Sequence, residues 1–305
     1  MTAMSELAAA PPTRPLYEGG PTVSSIAWGM WRFAGDDVVA AESRVQAALD
    51  AGVTVFDTAD IYGPDNGEPF GAAETLLGRV FDQNPSLAAR MVIATKGGIS
   101  MGVPYDSSAG YLAYAIDASL KRLGVEQVAL WQIHRPDLLT HPAEVAKALE
   151  TAHAAGKIGA IGVSNFTPSQ VTALAAHSAV PIVSIQPEFS PLAFGPLFDG
   201  VLDQAMTRGM TVLAWSPLGG GRLGDPRDER SAAVAKALDE KAQAYGVSRA
   251  AAAYSWIMAH PSRPIPIVGT QTIARIAEIP DAYRPTWTRA EWYAVLIASM
   301  GEALP

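Results

Sequence analysis

This sequence predicts a single-domain α/β protein, a closed (β/α)8 barrel of the TIM type. Three observations carry the prediction. Short apolar runs alternate strictly with helix-periodic stretches, eight times along 305 residues. The strand runs are apolar throughout rather than every second residue, as in parallel strands covered on both faces. No linker or shift in composition interrupts the series. Eight units in about 280 residues suit a closed barrel, whereas a doubly wound sheet uses about six strands.

The elements follow in order. Residues 1–20 read as a flexible tail, and the barrel domain as 21–305. The first strand is expected within 25–31. Asp36 is the expected N-cap of a helix whose Val38, Val45, Ala48 and Leu49 fall at helical spacing, with Gly52 after its last turn. A strand at 53–56 precedes a helix at 71–82, and a strand at 91–95 ends on Lys96. Ser107 or Ser108 caps a helix running to about Leu123, closed by Gly124. The remaining strands are expected at 127–133, 158–163, 182–185, 210–215 and 265–268. Their helices are expected at 142–155, 168–176, 196–208, 231–245 with 248–259, and 272–279, with a last amphipathic helix at 288–300.

Composition narrows the function. Hydrophobic residues make up 49% of the chain and charged ones only 17%, so a large core is affordable in sequence terms. A net charge of −8, without a basic stripe, offers no footprint for nucleic acid or anionic lipid. There is no cysteine, which removes disulfides, thiolate catalysis and zinc–sulfur sites and suits a cytoplasmic setting. No apolar run reaches the roughly 18 residues of a membrane span, and the N-terminus lacks the pattern of a secretory signal. The five histidines show no H-x-x-x-H spacing, so no metal is expected.

In a barrel the reactive groups lie at the C-terminal ends of the strands. Asp57 closes one strand, Tyr62 sits in the Gly-Pro loop behind it, Lys96 ends the next strand and His134 the one after. Taken singly, these are a cap, a surface ring, a solvated cation and a core histidine. Four such residues on one rim, one βα unit apart, make a coherent set. A phenol whose pKa is lowered by an ammonium can protonate a developing alkoxide. Asp57 would hold Lys96 charged and aimed, and a neutral His134 could orient the substrate oxygen. Such a set suits carbonyl reduction.

The segments F-D-T-A-D-I-Y-G, A-T-K-G-G and Q-I-H-R-P-D, which carry Asp57, Tyr62, Lys96 and His134, resemble the tetrad of the aldo-keto reductase superfamily. G-V-S-N-F at 162–166, Gln186, A-W-S-P-L-G at 214–219 and P-I-V-G-T at 266–270 are similar to it in the same order. The resemblance implies an NAD(P)H-dependent reductase of aldehydes or ketones. It implies that Ser164, Asn165 and Gln186 bind the nicotinamide carboxamide and that Trp215 stacks on the ring. The backbone about Ser216, Leu218, Gly220 and Arg222 would wrap the pyrophosphate, and Thr270, Gln271 and Arg275 would meet the adenosine phosphate. Gly269 stands where many NADPH-preferring relatives carry a lysine, and Ile279 where they carry an asparagine. Arg275 remains for the 2′-phosphate, so NADP(H) is the expected cofactor and NAD(H) its alternative.

Trp31, Tyr105 and Arg135 flank strand ends and are the expected pocket walls for a small-molecule carbonyl substrate. The chain stops soon after Met300, which implies an open, permissive site. The run G-G-G-R-L-G at 219–224 matches G-x-G-x-x-G only formally, because Asp225-Pro226 follows where a helix would have to start. Two other readings stay open in the residues: a lyase with a Schiff base on Lys96, and a regulatory subunit that keeps the fold and cofactor.

Overall fold

Eight parallel strands form a closed barrel in the computed structural model, which describes residues 6–304. An antiparallel hairpin comes first, β1 (Thr13–Pro15) with β2 (Thr22–Ser24). The barrel strands are β3 (Ala27–Gly29), β4 (Val55–Asp57), β5 (Val92–Gly97), β6 (Leu130–Ile133), β7 (Ile161–Ser164), β8 (Ile182–Gln186), β9 (Thr211–Ala214) and β10 (Ile265–Val268). Each pairs with the next, and β10 closes the ring on β3 with Ile267 opposite Ala27.

The all-apolar strands acquire a physical reason here. One set of side chains, including Val55, Ala94, Leu130, Leu213 and Ile265, fills the barrel interior. The alternate set, including Trp28, Phe56, Ile93, Trp131 and Val212, packs outward under the helices. Both faces are dry, so most strand positions are apolar, and the buried polar ones, such as Thr95, Lys96 and Gln186, are held by hydrogen bonds. Leu16 and Val23 of the hairpin join the inner cluster and close its floor.

The barrel helices are α1 (Val38–Asp50), α2 (Ala72–Gln83), α3 (Ala109–Leu123), α4 (Pro142–Ala154), α5 (Pro168–Ala175) and α6 (Val201–Arg208). The later ones are α7 (Glu229–Tyr245), α8 (Arg249–Met258), α9 (Ile273–Ala277) and α10 (Arg289–Met300). α7 and α10 pack on each other, and α7 also packs on α8, outside the eightfold alternation. No helix among the described residues is long and apolar enough to cross a membrane.

Several expectations are corrected. The segment expected to be loose to residue 20 is built in much earlier. The Leu7 N–H donates to Trp287 O at 2.7 Å, the hairpin starts at Thr13, and Leu16 is buried. Residues 1–5 of that expected tail lie outside the described residues. The cap of α1 is Asp37, not Asp36: its Oδ1 accepts the Ala40 N–H at 3.0 Å, a reach open only to the residue directly before the helix. The helix expected from 196 is a 3-10 turn (Gly195–Leu197) followed by α6. Gly200, at φ 84, breaks the helical run between them. The helix expected to 279 ends at Ala277, and a 3-10 turn containing Pro280 follows.

Candidate active site

At the C-terminal rim, β4 and β5 run in register with Asp57 opposite Ala94, which sets Lys96 beside the chain leaving β4. The Lys96 Nζ donates to Asp57 Oδ2 at 2.7 Å and to the Thr58 carbonyl at 2.8 Å. Gln186 Nε2, from across the barrel, donates to Asp57 Oδ1 at 2.8 Å. Both carboxylate oxygens are therefore engaged, and the ammonium is fully buried. Burial alone would lower the Lys96 pKa. The Asp57 carboxylate and the Tyr62 phenol more than offset it, and the net shift is upward.

Tyr62 is fixed through its backbone. Its N–H donates to Ala59 O at 3.1 Å, and its carbonyl accepts the Ala73 N–H at 3.1 Å, tying the loop to the start of α2. The Lys96 Nζ lies 5.1 Å from the centre of the Tyr62 ring, and His134 meets that ring edge-on at 5.9 Å. Burial pushes the phenol's pKa up and Lys96 pulls it down, with a net rise. The expected lowering is thus corrected for the protein alone, because desolvation outweighs the ammonium. His134 is held neutral by burial first, then by the charges of Lys96 and Arg135, and its Nδ1 has no hydrogen-bond partner.

The expected cofactor residues divide into two groups. Asn165 adopts φ 60, a left-handed conformation that costs energy in a non-glycine residue. Its Nδ2 donates to Ser164 Oγ at 2.8 Å and to His134 O at 3.2 Å. Its Oδ1 accepts the Trp215 Nε1–H at 3.0 Å. Ser164 Oγ donates to Gln186 O at 2.9 Å, and the Arg135 guanidinium lies 5.9 Å from the Trp215 ring centre. Ser164, Asn165, Gln186, Trp215 and Arg135 thus join the tetrad in one network. After Trp215 the chain turns through Ser216 (φ 51) and half-buried Leu218 to Gly219, Gly220 and Gly221, at φ 59, 69 and 95.

Other expected residues stand apart from this network. Arg222 is exposed and folds back on Gly219 O at 3.0 Å, and Arg275 is exposed on α9. The Thr270 carbonyl accepts Trp28 Nε1–H at 2.8 Å. Gln271 Nε2 donates to Gly29 O at 3.2 Å, while its buried Oε1 finds no partner. Trp31 is 42% exposed, and its Nε1 donates to Asp65 Oδ2 at 3.1 Å. Tyr105 is 40% exposed, and no hydrogen bond joins it to the tetrad among the described residues.

Two features escape a sequence reading. Arg32 stacks over Trp31 at 4.7 Å, with an Nη1 3.5 Å from where a Cβ on Gly269 would stand. It brings a cation to the end of β10 from a loop distant in sequence. Asp65 and Asn66 clasp Trp31, the latter by Asn66 Nδ2 to Trp31 O at 2.5 Å. The P-D-N-G turn is visible in the sequence, but what it holds is not.

The residues present fit a dinucleotide: a half-buried indole at the strand end, a left-handed glycine turn beyond it, and a 269–275 segment with one cation and no acid. Fold and rim together define a barrel oxidoreductase. The model of the Aldo/keto reductase family matches residues 25–295, and the chain belongs to that family. It is an enzyme of carbonyl reduction, in a family that uses nicotinamide cofactors. A 6-dehydroglucose reductase of Novosphingobium aromaticivorans is 54% identical over 304 residues, covering 99% of this chain and 100% of that one. A second 6-dehydroglucose reductase, from Agrobacterium fabrum, is 36% identical over 92% of this chain and 95% of its own. A solved thermostable aldo-keto reductase, in complex with the inhibitor epalrestat, shares the fold. Its TM-score is 0.80 at 23% identity, over 94% of this chain and 99% of that one.

Proposed function

We propose that this enzyme reduces an aldehyde to an alcohol with NADPH, and that its substrate is a sugar aldehyde of the 6-dehydroglucose class. The observation that carries the reaction is the buried Lys96–Asp57 pair facing Tyr62 and His134 at one rim. The substrate class rests on the names of two relatives, one of them 54% identical over nearly its full length. Arg135, over the Trp215 ring beside His134, would offer a hydroxylated substrate a hydrogen-bond donor.

When bound, a reduced nicotinamide would supply the hydride to the carbonyl carbon. The upward shift keeps Tyr62 protonated, so it is available as the acid that gives its proton to the carbonyl oxygen. The phenolate left behind faces the Lys96 ammonium, which Asp57 keeps charged. That attraction is strongest as charge develops, so it favours the transition state over the bound substrate. Neutral His134 offers its ring N–H to the same oxygen and orients it. Ser164, Asn165, Gln186 and Trp215 would hold the nicotinamide. The backbone at Ser216, Leu218, Gly220 and Arg222 would cradle the pyrophosphate. Thr270, Gln271 and Arg275 would take the adenosine phosphate, with Arg32 as a further cation nearby.

The test combines turnover with cofactor binding. NADPH and NADH are titrated while tryptophan fluorescence is followed, and reduction of 6-dehydroglucose is read from the loss of NADPH absorbance. Tyr62→Phe should lower turnover about 10²–10⁴-fold and leave NADPH affinity nearly unchanged. Full turnover in that variant would remove Tyr62 as the acid. Equal affinity for NADPH and NADH would remove Arg275 as a 2′-phosphate ligand.

A further inference from the structure

The barrel floor, opposite the catalytic rim, carries a second constellation with no part in the reduction. A cavity of about 300 Å³ opens between the β1–β2 hairpin and the turn that precedes β10, within the size range of small-ligand sites. Arg14, Tyr17, Glu18, Ser25, Thr211 and Arg263 are among its lining residues. Two of these are already engaged: Ser25 Oγ donates to Pro11 O, and Thr211 Oγ1 to Leu16 O. The remaining donors are mainly the two guanidiniums.

Neither guanidinium is within ion-pair distance of a carboxylate among the described residues, although Glu18 lines the same cavity. Arg14 donates one N–H to the Arg263 carbonyl. Burial lowers the pKa of Arg14, and the neighbouring charge of Arg263 lowers it further. Arg263 also has φ 46, a left-handed backbone held by its N–H on His260 O at 2.7 Å. Such strain persists only where the surroundings impose it, and it clusters at functional positions. Arg14 is half-buried and Arg263 exposed, so the two like charges meet at the mouth of the cavity, where an anion from solvent can reach both. In a chain of net charge −8, a pair of unmatched cations is a local and specific feature.

We propose that this floor cavity binds a phosphate monoester, with its dianion between the Arg14 and Arg263 guanidiniums and its organic part against Tyr17. Guanidinium forks match phosphate oxygens two at a time, which a lone carboxylate uses less fully. Tyr17 makes a rigid wall, because its ring packs on Gly20 so closely that a Cβ there would meet three ring atoms at 2.8 Å. A ligand held this way ties the hairpin to the turn before β10 and stabilises the folded state by mass action.

Calorimetry on the full chain tests the site with glucose 6-phosphate and inorganic phosphate as separate probes at matched ionic strength. Saturable binding of the ester and a rise in Tm are expected. Arg14→Gln and Arg263→Asn should each weaken that binding at least tenfold. Glutamine can still donate to the Arg263 carbonyl and asparagine tolerates the left-handed backbone, so both variants should fold, as their unliganded Tm will show. Binding that survives both substitutions would place the anion elsewhere, such as the cofactor loops, and overturn the proposal. So would the absence of saturable heat. Equal affinity for inorganic phosphate and the ester would overturn the role of Tyr17 and assign the site to the free anion.

Discussion

At the scale of single residues, the rim is governed by desolvation, with charge pairs correcting it locally. His134 shows this most simply. Burial and two nearby cations depress its pKa well below 6.5. Between the folded and unfolded values the unfolded chain binds a proton that the folded chain refuses, so stability falls as pH drops below about 6.5. His134→Gln should therefore flatten the acid side of the stability–pH profile, read from urea midpoints between pH 7 and 5. An unchanged slope would mean that His134 titrates normally. That Asp57, Tyr62, Lys96 and His134 share one rim was legible in the sequence, because each follows an apolar strand directly or in the loop behind it. Arg32 was not legible, since its partner Gly269 lies at the opposite end of the chain and offers no side chain to match.

At the scale of elements, α2, α3 and β5 are joined by a buried polar knot. Glu74 is fully buried on α2; its Oε1 accepts from Thr95 at 2.6 Å and its Oε2 from Arg122 Nε at 2.7 Å. Asp60 lies nearby with both oxygens unpartnered, and burial, then the Glu74 charge, push its pKa well up. Arg122→Met should cost about 3–5 kcal/mol, because it strands a buried carboxylate. Adding Glu74→Gln should restore part of that loss, and a strictly additive double variant in urea unfolding would show that the two do not interact. Strand positions were legible for a related reason: strands dry on both faces are apolar at most positions, without a polar alternate. Element ends such as Asp37 and Gly200 were less so, because they turn on the backbone angle of one residue. The floor hairpin was missed altogether, since three-residue strands with Pro15 in one of them leave no periodicity to read.

At the scale of the molecule, the last helix locks the outer shell. Trp292 of α10 stacks on Trp256 of α8 with ring centres 4.5 Å apart and planes 6° from parallel. Each indole N–H donates to the other residue's carbonyl at 3.0 Å. The Lys241–Glu291 pair at 2.8 Å fastens α7 to the same helix. Trp292→Ala should therefore cost about 3–5 kcal/mol, with Trp292→Phe between it and the wild type, as measured by chemical denaturation. A loss under 1 kcal/mol would mean that α10 is an appendage.

The closing pair of the barrel also sets an order of events. β3 is made early, yet one of its two neighbours is β10, and Leu7 ahead of it waits for Trp287. A nascent chain on the ribosome therefore carries two unpaired sheet edges until most of the polypeptide has emerged. Distant pairings of this kind form slowly, and edges left open in the meantime invite association between chains. Yield on refolding should therefore fall as protein concentration rises, and depend on how soon the two ends of the chain meet.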